Sequence, residues 1–532
     1  MSGPDYQLRG GNLIDGAWIQ GESTFSATDP SSGKSLPGLF YAAGAKAIAG
    51  AARAAEAALS DYRALPLRQR AEFLRSIAQG IDEAADQIVG RAQQETALPE
   101  SRLRGETART TGQLRLFANW VEEGSWLDAR IDRADPSRKP AAKPDLRLAN
   151  EPIGPVAVFG ASNFPLAFSV AGGDTASALS AGCPVIVRAH PLHPGTSELT
   201  AVCVLEAIQQ CGIPAGAFGM LQGKEYQVGQ GLVLHPAVKA VAFTGSYRGG
   251  KALFDLAVSR PEPIPFYAEM GSINPVFVLP GALVERADAI ARGWVESLTL
   301  GVGQFCTNPG ILVTQRVPSL DRFVQAAGQR IQEVPSGTML STAILDAWQQ
   351  GTERLRRNKA GSEPVGQPPA ETERKPRATF FLVNGASFLK DQGLQEEIFG
   401  PTGIVVVCSD PDELLGVAAC LHGQLTATIH GAEGDTALIH QLLPLLRERA
   451  GRILFSGFPT GVEVCHAMQH GGPFPATTDT RTTSVGTLAI RRFLRPVSYQ
   501  NVSDQFLPEA LQNANPLGIL RLVDGVWTRD AI

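Results

Sequence analysis

The chain has no Cys-x-x-Cys pair. Its seven cysteines, Cys183, Cys203, Cys211, Cys306, Cys408, Cys420 and Cys465, are scattered and odd in number. Such spacing serves neither a disulfide framework nor a structural zinc site, and a reducing cytoplasm is the expected compartment. No apolar run is long enough to cross a bilayer. The opening Met1-Ser2-Gly3-Pro4-Asp5 lacks the basic-then-apolar order of a secretion signal. An excess of one charge is missing too: 47 Lys and Arg face 52 Asp and Glu, a net of −5. Neither a membrane nor a nucleic acid is therefore an expected partner. No internal repeat is visible.

What is present is ordinary in composition and large in scale. At 532 residues the chain exceeds what one hydrophobic core serves, so two or three domains are expected. An apolar share of 44% with 19% charged residues suits a globular enzyme. Residues 45–97 are rich in Ala, Leu, Arg, Glu and Gln, and Leu74, Ile77, Ile81 and Ala85 recur at threes and fours. This predicts amphipathic helices, punctuated by Pro66 and Pro99. The pattern continues from Thr107 to Trp120. Residues 134–150 are basic and proline-bearing and read as an extended excursion. Short apolar strands follow at 156–159, 184–188, 218–221 and 238–243, with helices at 197–210, closed by Gly212, and at 250–258. Strands separated by helices predict right-handed crossovers and a parallel sheet, hence an α/β fold. From Asn358 to Ala378 the composition reads as an exposed, mobile insertion. The tail 501–532 holds Phe506, Leu507, Leu511, Leu517, Ile519, Leu520 and Trp527. It is too apolar to dangle and is expected to pack on the body or on a partner subunit.

Cys306 differs from the other cysteines in its neighbours, Gly301-Val302-Gly303-Gln304-Phe305 before it and Thr307-Asn308-Pro309-Gly310 after it. Glycines beside a sulfur leave room for approach and backbone donors, and Gly303, Gln304, Asn308 and Gly310 are poor core material. A thiol with an ordinary pKa of about 8.5 is partly ionised at neutral pH, and more so in an electropositive setting. Its addition to an aldehyde makes an alkoxide whose collapse expels hydride. Asn163, in the turn Gly160-Ala161-Ser162-Asn163-Phe164-Pro165 after an apolar strand, could hold that alkoxide with its amide, alongside the Cys306 N–H. It equally suits a turn before Phe-Pro. Glu269 sits among Phe266, Tyr267, Ala268 and Met270, which would half-bury it and raise its pKa toward that of a base for water. Thiol, amide and carboxylate are the parts needed to oxidise an aldehyde through a thioester.

Hydride needs an acceptor. The segment Phe243-Thr244-Gly245-Ser246-Tyr247-Arg248-Gly249-Gly250 follows a strand and opens a helix, so Gly245, Ser246, Gly249 and Gly250 are candidates to meet a dinucleotide pyrophosphate. The spacing is not Gly-x-Gly-x-x-Gly, and many strand–helix turns hold glycines. Glu397 could accept ribose hydroxyls and Phe399 could pack beside a nicotinamide; a surface acid and a core aromatic are the alternatives. His466 and His470 have a spacing that can suit a metal. Their proline–glycine context, without Asp, Glu or Cys ligands nearby, leads us to expect none.

These motifs, in this order, resemble the aldehyde dehydrogenase superfamily over most of the chain, from about Asn12 to about Pro496. Asn163 matches its Asn-Phe-Pro, Glu269 its Glu-Leu-Gly-Gly (here Glu-Met-Gly-Ser), Cys306 its catalytic cysteine, and Glu397 with Phe399 its Glu-Glu-Ile-Phe-Gly-Pro. The resemblance implies a Rossmann-like dinucleotide-binding domain (1–130 and 151–271) and an α/β catalytic domain (272–485). It also implies a small bridging sheet (131–150 and 486–500) that builds homodimers or homotetramers, with 501–532 as a C-terminal extension. Segments around Asn163, Ala189–Ser197, Cys306 and Pro459–Val464 resemble the group acting on 2,5-dioxopentanoate, which itself is similar to NADP-dependent fatty aldehyde dehydrogenases. A catalytically silent relative is a third reading. Arg109 is then a candidate for the substrate carboxylate, with Phe164, Phe168 and Phe458 as tunnel walls. Solvation of Arg109 and core packing of the rings are the alternatives. Three departures stand out. Arg188 replaces the lysine usual at the adenine-side ribose. Pro191 stands where NAD-preferring members often carry glutamate, so NADP is favoured over NAD. Ser456 stands where asparagine is expected.

Overall fold

The computed structural model describes residues 7–358, 363–365 and 375–532, so most of the expected insertion after Asn358 lies outside the described residues. Among the described residues three large sheets organise the fold, beside a two-stranded ribbon of Ser23–Phe25 and Phe40–Ala42. The first has seven strands in the order Phe266–Glu269, Ala240–Thr244, Val156–Phe159, Val185–Arg188, Phe218–Leu221, Asn12–Ile14, Ala17–Ile19. Its first five strands run parallel, and the N-terminal pair closes one edge antiparallel. The period of two sorts its side chains. Val156, Val158, Val185 and Val187 face a core with helices Leu67–Glu83 and Glu100–Glu123, whereas Ala157, Phe159 and Ile186 face helix Ala45–Arg63. Both faces are buried, which is why these strands read as unbroken apolar runs.

The second sheet carries Glu363–Val365, Thr379–Asn384, Thr402–Cys408, Ile311–Gln315, Val276–Val278, Gln424–His430 and Ala450–Phe455, parallel apart from the first. Helices Pro280–Thr299 and Ser319–Glu333 pack on one face through Trp294 and Phe323. Pro411–Cys420 and Thr436–Arg449 cover the other through Leu414 and Leu442.

The third sheet has the order Leu494–Gln500, Leu146–Pro152, Arg130–Asp132, Arg521–Val523, Val526–Thr528. The C-terminal tail thus does more than pack: it supplies two strands, and Leu507, Leu511 and Ile519 bury against Ile131 and Ala149. Among the described residues no helix is long and apolar enough to cross a membrane.

Candidate functional site

The site lies where the first two sheets meet. Glu269 ends the strand Phe266–Glu269, and the loop carrying Cys306 runs from helix Pro280–Thr299 into strand Ile311–Gln315. Buried amides build that loop. Asn274 donates to the carbonyls of Cys306 (2.8 Å) and Asn308 (2.9 Å), and Asn308 donates to those of Leu298 (2.7 Å) and Gly303 (3.1 Å). Gln304 accepts the Leu340 N–H at 3.0 Å. Residues that are poor core material by type are buried here as a polar scaffold held by these hydrogen bonds, while Thr307 Oγ1 beside them is buried without a partner. Gly301, Val302 and Gly303 are all left-handed, with φ of 57°, 60° and 68°. For the β-branched Val302 this is strain, stored in the same loop as the sulfur of Cys306.

Asn163 reaches this loop from the first sheet. Its Nδ2 donates to the Gln304 carbonyl at 2.9 Å. A carboxamide nitrogen carries two hydrogens, so one remains for another acceptor beside Cys306. The Asn163 turn is clamped from behind: Glu106 Oε1 accepts the N–H groups of Leu166 (2.8 Å) and Ala167 (2.9 Å), and Arg102 Nη2 donates to the Asn163 carbonyl at 2.6 Å.

The sulfur of Cys306 lies 3.6 Å from Nε2 of His470. Burial foremost, then the Glu269 carboxylate, push the thiol up to about 12; Arg109 pulls it down and Glu397 adds to the rise. Desolvation and two carboxylates outweigh the guanidinium, so this thiol is less ionised at neutral pH than one with an ordinary pKa. Burial, with Arg109 and Arg452 nearby, drives His470 down to about 3, so its imidazole is neutral and free to accept from S–H. His466 points elsewhere, to Thr487 Oγ1 at 3.0 Å and the Trp120 ring, so the two histidines do not converge.

Glu269 is buried, and its Oε2 has no hydrogen-bond partner. Burial raises its carboxyl well above the usual range; Arg492 opposes this and Asp174 reinforces it. Its carbonyl accepts the Gly245 N–H at 3.0 Å, which ties it to the glycine turn.

An aromatic pocket adjoins the sulfur. Phe164 meets Phe168 and Phe305 edge-on, each at 5.3 Å. Val462, Val464 and Met468 pack against them. Arg109 lies over Phe168 at 5.2 Å and Phe164 at 6.0 Å, and its buried Nε and Nη2 have no hydrogen-bond partner. Phe458 does not join this wall. Its half-buried ring packs over Gly293, where a Cβ would stand 2.4 Å away, and beside His430 at 5.0 Å, against the second sheet's core. Ser456 holds a left-handed φ of 54°.

The glycine turn opens helix Tyr247–Ser259, with Ser246 Oγ accepting the Gly249 N–H at 3.2 Å. A Cβ at Gly245 would come within 2.7 Å of the Phe243 ring, and one at Gly250 within 2.8 Å of Met270 Sδ, so both positions are also closed by packing. Arg188 ends the strand Val185–Arg188, with Nη2 donating to the Gly223 carbonyl at 3.0 Å. Glu397 Oε1 accepts from Ser272 N–H at 3.4 Å, and a Cβ on Gly271 would stand 2.3 Å from its Oε2. The surrounding protein raises the Glu397 carboxyl to about 7, although the side chain still opens to solvent in its cleft. Phe399 lines that cleft with Ser272, Ile273 and Asn308. These residues fit a dinucleotide. Thr244 Oγ1 is buried without a partner, Glu397 stands in an open cleft that a side chain at position 271 would fill, and a helix N-terminus faces the crevice where the strand order reverses.

Sequence reasoning passed over Asn274, Arg102, Arg452 and Phe305 and read His470 only as a metal candidate. No local pattern marks them, since their partners lie far along the chain.

Comparison with known proteins agrees with this geometry. The aldehyde dehydrogenase family model matches residues 18–442. The chain is 50% identical to alpha-ketoglutaric semialdehyde dehydrogenase 2 of Azospirillum brasilense over 98% of this chain and 99% of that one. It is 49% identical to the alpha-ketoglutaric semialdehyde dehydrogenase of Acinetobacter baylyi over 90% of this chain and 91% of that one. Among solved structures, the gamma-glutamyl-gamma-aminobutyraldehyde dehydrogenase of Burkholderia cenocepacia superposes with a TM-score of 0.79 at 22% identity, covering 93% of this chain and 97% of that one. The chain belongs to the aldehyde dehydrogenase family.

Proposed function

We propose that this NAD(P)-dependent enzyme oxidises 2,5-dioxopentanoate to 2-oxoglutarate without an acyl carrier. The observation that carries the substrate is Arg109: a guanidinium with two buried, unpartnered nitrogens beside the Cys306 pocket. A substrate carboxylate would supply the missing acceptors through a charge-assisted, paired contact. The names of the relatives at 50% and 49% identity support the same substrate. An alkyl chain would suit the aromatic wall but would leave that charge buried and unpaired, which weighs against a fatty aldehyde.

In this reading the neutral His470 ring orients the Cys306 S–H by accepting its hydrogen bond, the proton passes to the Glu269 carboxylate and on to solvent, and the sulfur bonds to the aldehyde carbon. The free hydrogen of Asn163 Nδ2 and the Cys306 N–H hold the oxyanion. Bound NAD(P)+ supplies the hydride acceptor. Glu397 would hold the coenzyme's ribose, Phe399 would pack on its ring, Ser246, Gly245, Gly249 and Gly250 would meet its phosphates, and Arg188 its second ribose. Glu269, desolvated and thus basic, takes a proton from water as that water attacks the Cys306 thioester. A carboxylate leaves, and the thiol is restored.

The NADP+ preference expected from Pro191 is supported by the lack of a carboxylate at that strand end and opposed by Glu225 on the neighbouring loop. Exposure of Phe506, Val526 and Trp527 on the third sheet and the adjoining tail supports assembly into a homodimer or homotetramer. Seven free thiols agree with a cytoplasmic location. The test is kcat/KM for 2,5-dioxopentanoate, hexanal and a long-chain aldehyde with each coenzyme. We expect the oxo acid to lead by about a hundred-fold, the scale of one well-made ionic contact. A long-chain aldehyde in the lead would overturn the substrate.

A further inference from the structure

The corner beyond Arg188 holds a second charge that the sequence motif does not include. Strand Val185–Arg188 pairs with Phe218–Leu221 so that Arg188 stands opposite Leu221, and the loop after Leu221 crosses the end of Arg188. Gly223 is the pivot of that loop. It is left-handed at φ 152°, its carbonyl takes the Arg188 Nη2 bond at 3.0 Å, and a Cβ there would meet Val228 at 2.8 Å and Glu225 Oε2 at 3.7 Å. The Arg188 guanidinium and the Glu225 carboxylate therefore flank one glycine. Glu225 is exposed and stands at the N-cap position of helix Tyr226–Leu234 without a side-chain bond to that helix, which leaves its carboxylate open to the corner beside Gly223.

Arg188 is the cation set against it, and the neighbouring basic groups are turned to other partners or uncharged. Lys224 lies over the Phe25 ring, 5.3 Å from its centroid. His190, two residues beyond Arg188, is held neutral by burial, by His193 and by Arg188. In an open α/β sheet, the side chain ending the strand beside the first βα unit reads the adenine-side ribose. A carboxylate there accepts a 2′-hydroxyl, whereas a 2′-phosphate would bring two negative charges against it.

We infer that Glu225, paired across Gly223 with Arg188, makes this coenzyme site selective for a free 2′-hydroxyl, so that NAD+ binds in preference to NADP+. This reverses the preference expected from Pro191, because the carboxylate arrives from the next loop rather than from the strand end. It rests on the reading of Arg188 as a ribose contact and is independent of the aldehyde.

The test is titration calorimetry with NAD+ and with NADP+, in the absence of aldehyde, on the whole enzyme and two variants. The unsubstituted protein is expected to bind NAD+ at least about ten-fold more tightly, as a like-charge contact requires. Glu225→Gln is expected to bring the two affinities within about three-fold, chiefly by tightening NADP+, and Glu225→Lys to invert their order. Equal or tighter binding of NADP+ by the unsubstituted protein, or an unchanged ratio in Glu225→Gln, overturns the inference. Binding of neither dinucleotide would overturn the coenzyme reading with it.

Discussion

The sulfur of Cys306 and Nε2 of His470 stand 3.6 Å apart, and the ring is neutral while the thiol is pushed up to about 12. In the coenzyme-free protein the thiol is therefore held protonated, with an acceptor in place. Alkylation by iodoacetamide should climb about ten-fold per pH unit from pH 7 to 9 without levelling, because the thiolate fraction does. His470→Ala should lower kcat by about ten-fold, the scale of one hydrogen bond that orients the thiol. A plateau in alkylation near neutral pH would show that the thiolate is already formed.

Glu269 is buried and has one oxygen unpartnered. Its carboxyl lies well above the usual 4.5, so the folded state binds its proton more tightly than the unfolded state does. That contribution is present below the unfolded pKa and is lost as pH rises through the folded one. Glu269→Gln carries no such loss. Its melting temperature should gain on that of the parent protein as pH rises from 5 to 9, on the linkage argument. The same variant should accumulate thioester, visible as an added acyl mass on Cys306 after one turnover, with steady-state rates down about a thousand-fold. Normal turnover would mean that another group activates water.

Arg109 makes no hydrogen bond through two buried nitrogens. Arg109→Leu should raise KM for 2,5-dioxopentanoate by about a hundred-fold while leaving hexanal within about three-fold, because only the former loses an ionic partner. An equal effect on both would assign Arg109 to packing against Phe164 and Phe168.

Gly271 and Glu397 meet where a Cβ would stand 2.3 Å from Oε2. The obstructing atom ends a flexible side chain, so Gly271→Ala should fold with little change in melting temperature while displacing the carboxylate. Loss of one charge-assisted contact to a ribose predicts about ten-fold weaker dinucleotide binding by calorimetry. Unchanged affinity would remove Glu397 from the coenzyme site.

Much of this was legible before any coordinates. Val156–Phe159, Val185–Arg188 and Phe218–Leu221 are apolar on both faces, and buried parallel strands leave that mark in a few consecutive residues. Asn12–Ile14 was not legible as a strand of the same sheet, since its antiparallel pairing to Met220 depends on a partner some two hundred residues away. The tail's apolar residues announced burial, but not that Arg521–Val523 would run parallel to Arg130–Asp132. In the site, Cys306 and Asn163 stood out through their neighbours. His470 did not, because its role arises only when the chain returns 164 residues later to the sulfur. Glu225 was missed for a related reason: attention to the end of one strand overlooks the loop leaving the next.

Ser456 departs from the family pattern at a left-handed position of the backbone. It follows strand Ala450–Phe455, donates its N–H to the Ile429 carbonyl at 2.9 Å and holds φ 54°. A left-handed conformation costs an ordinary L residue about 1–2 kcal/mol, and asparagine less, because its short amide bonds locally. The asparagine expected at this position therefore has a backbone reason independent of catalysis. Ser456→Asn should stabilise the protein by about 0.5–1 kcal/mol in urea unfolding, with kcat for 2,5-dioxopentanoate within about two-fold. A large change in KM with no gain in stability would instead place this side chain in the substrate mouth.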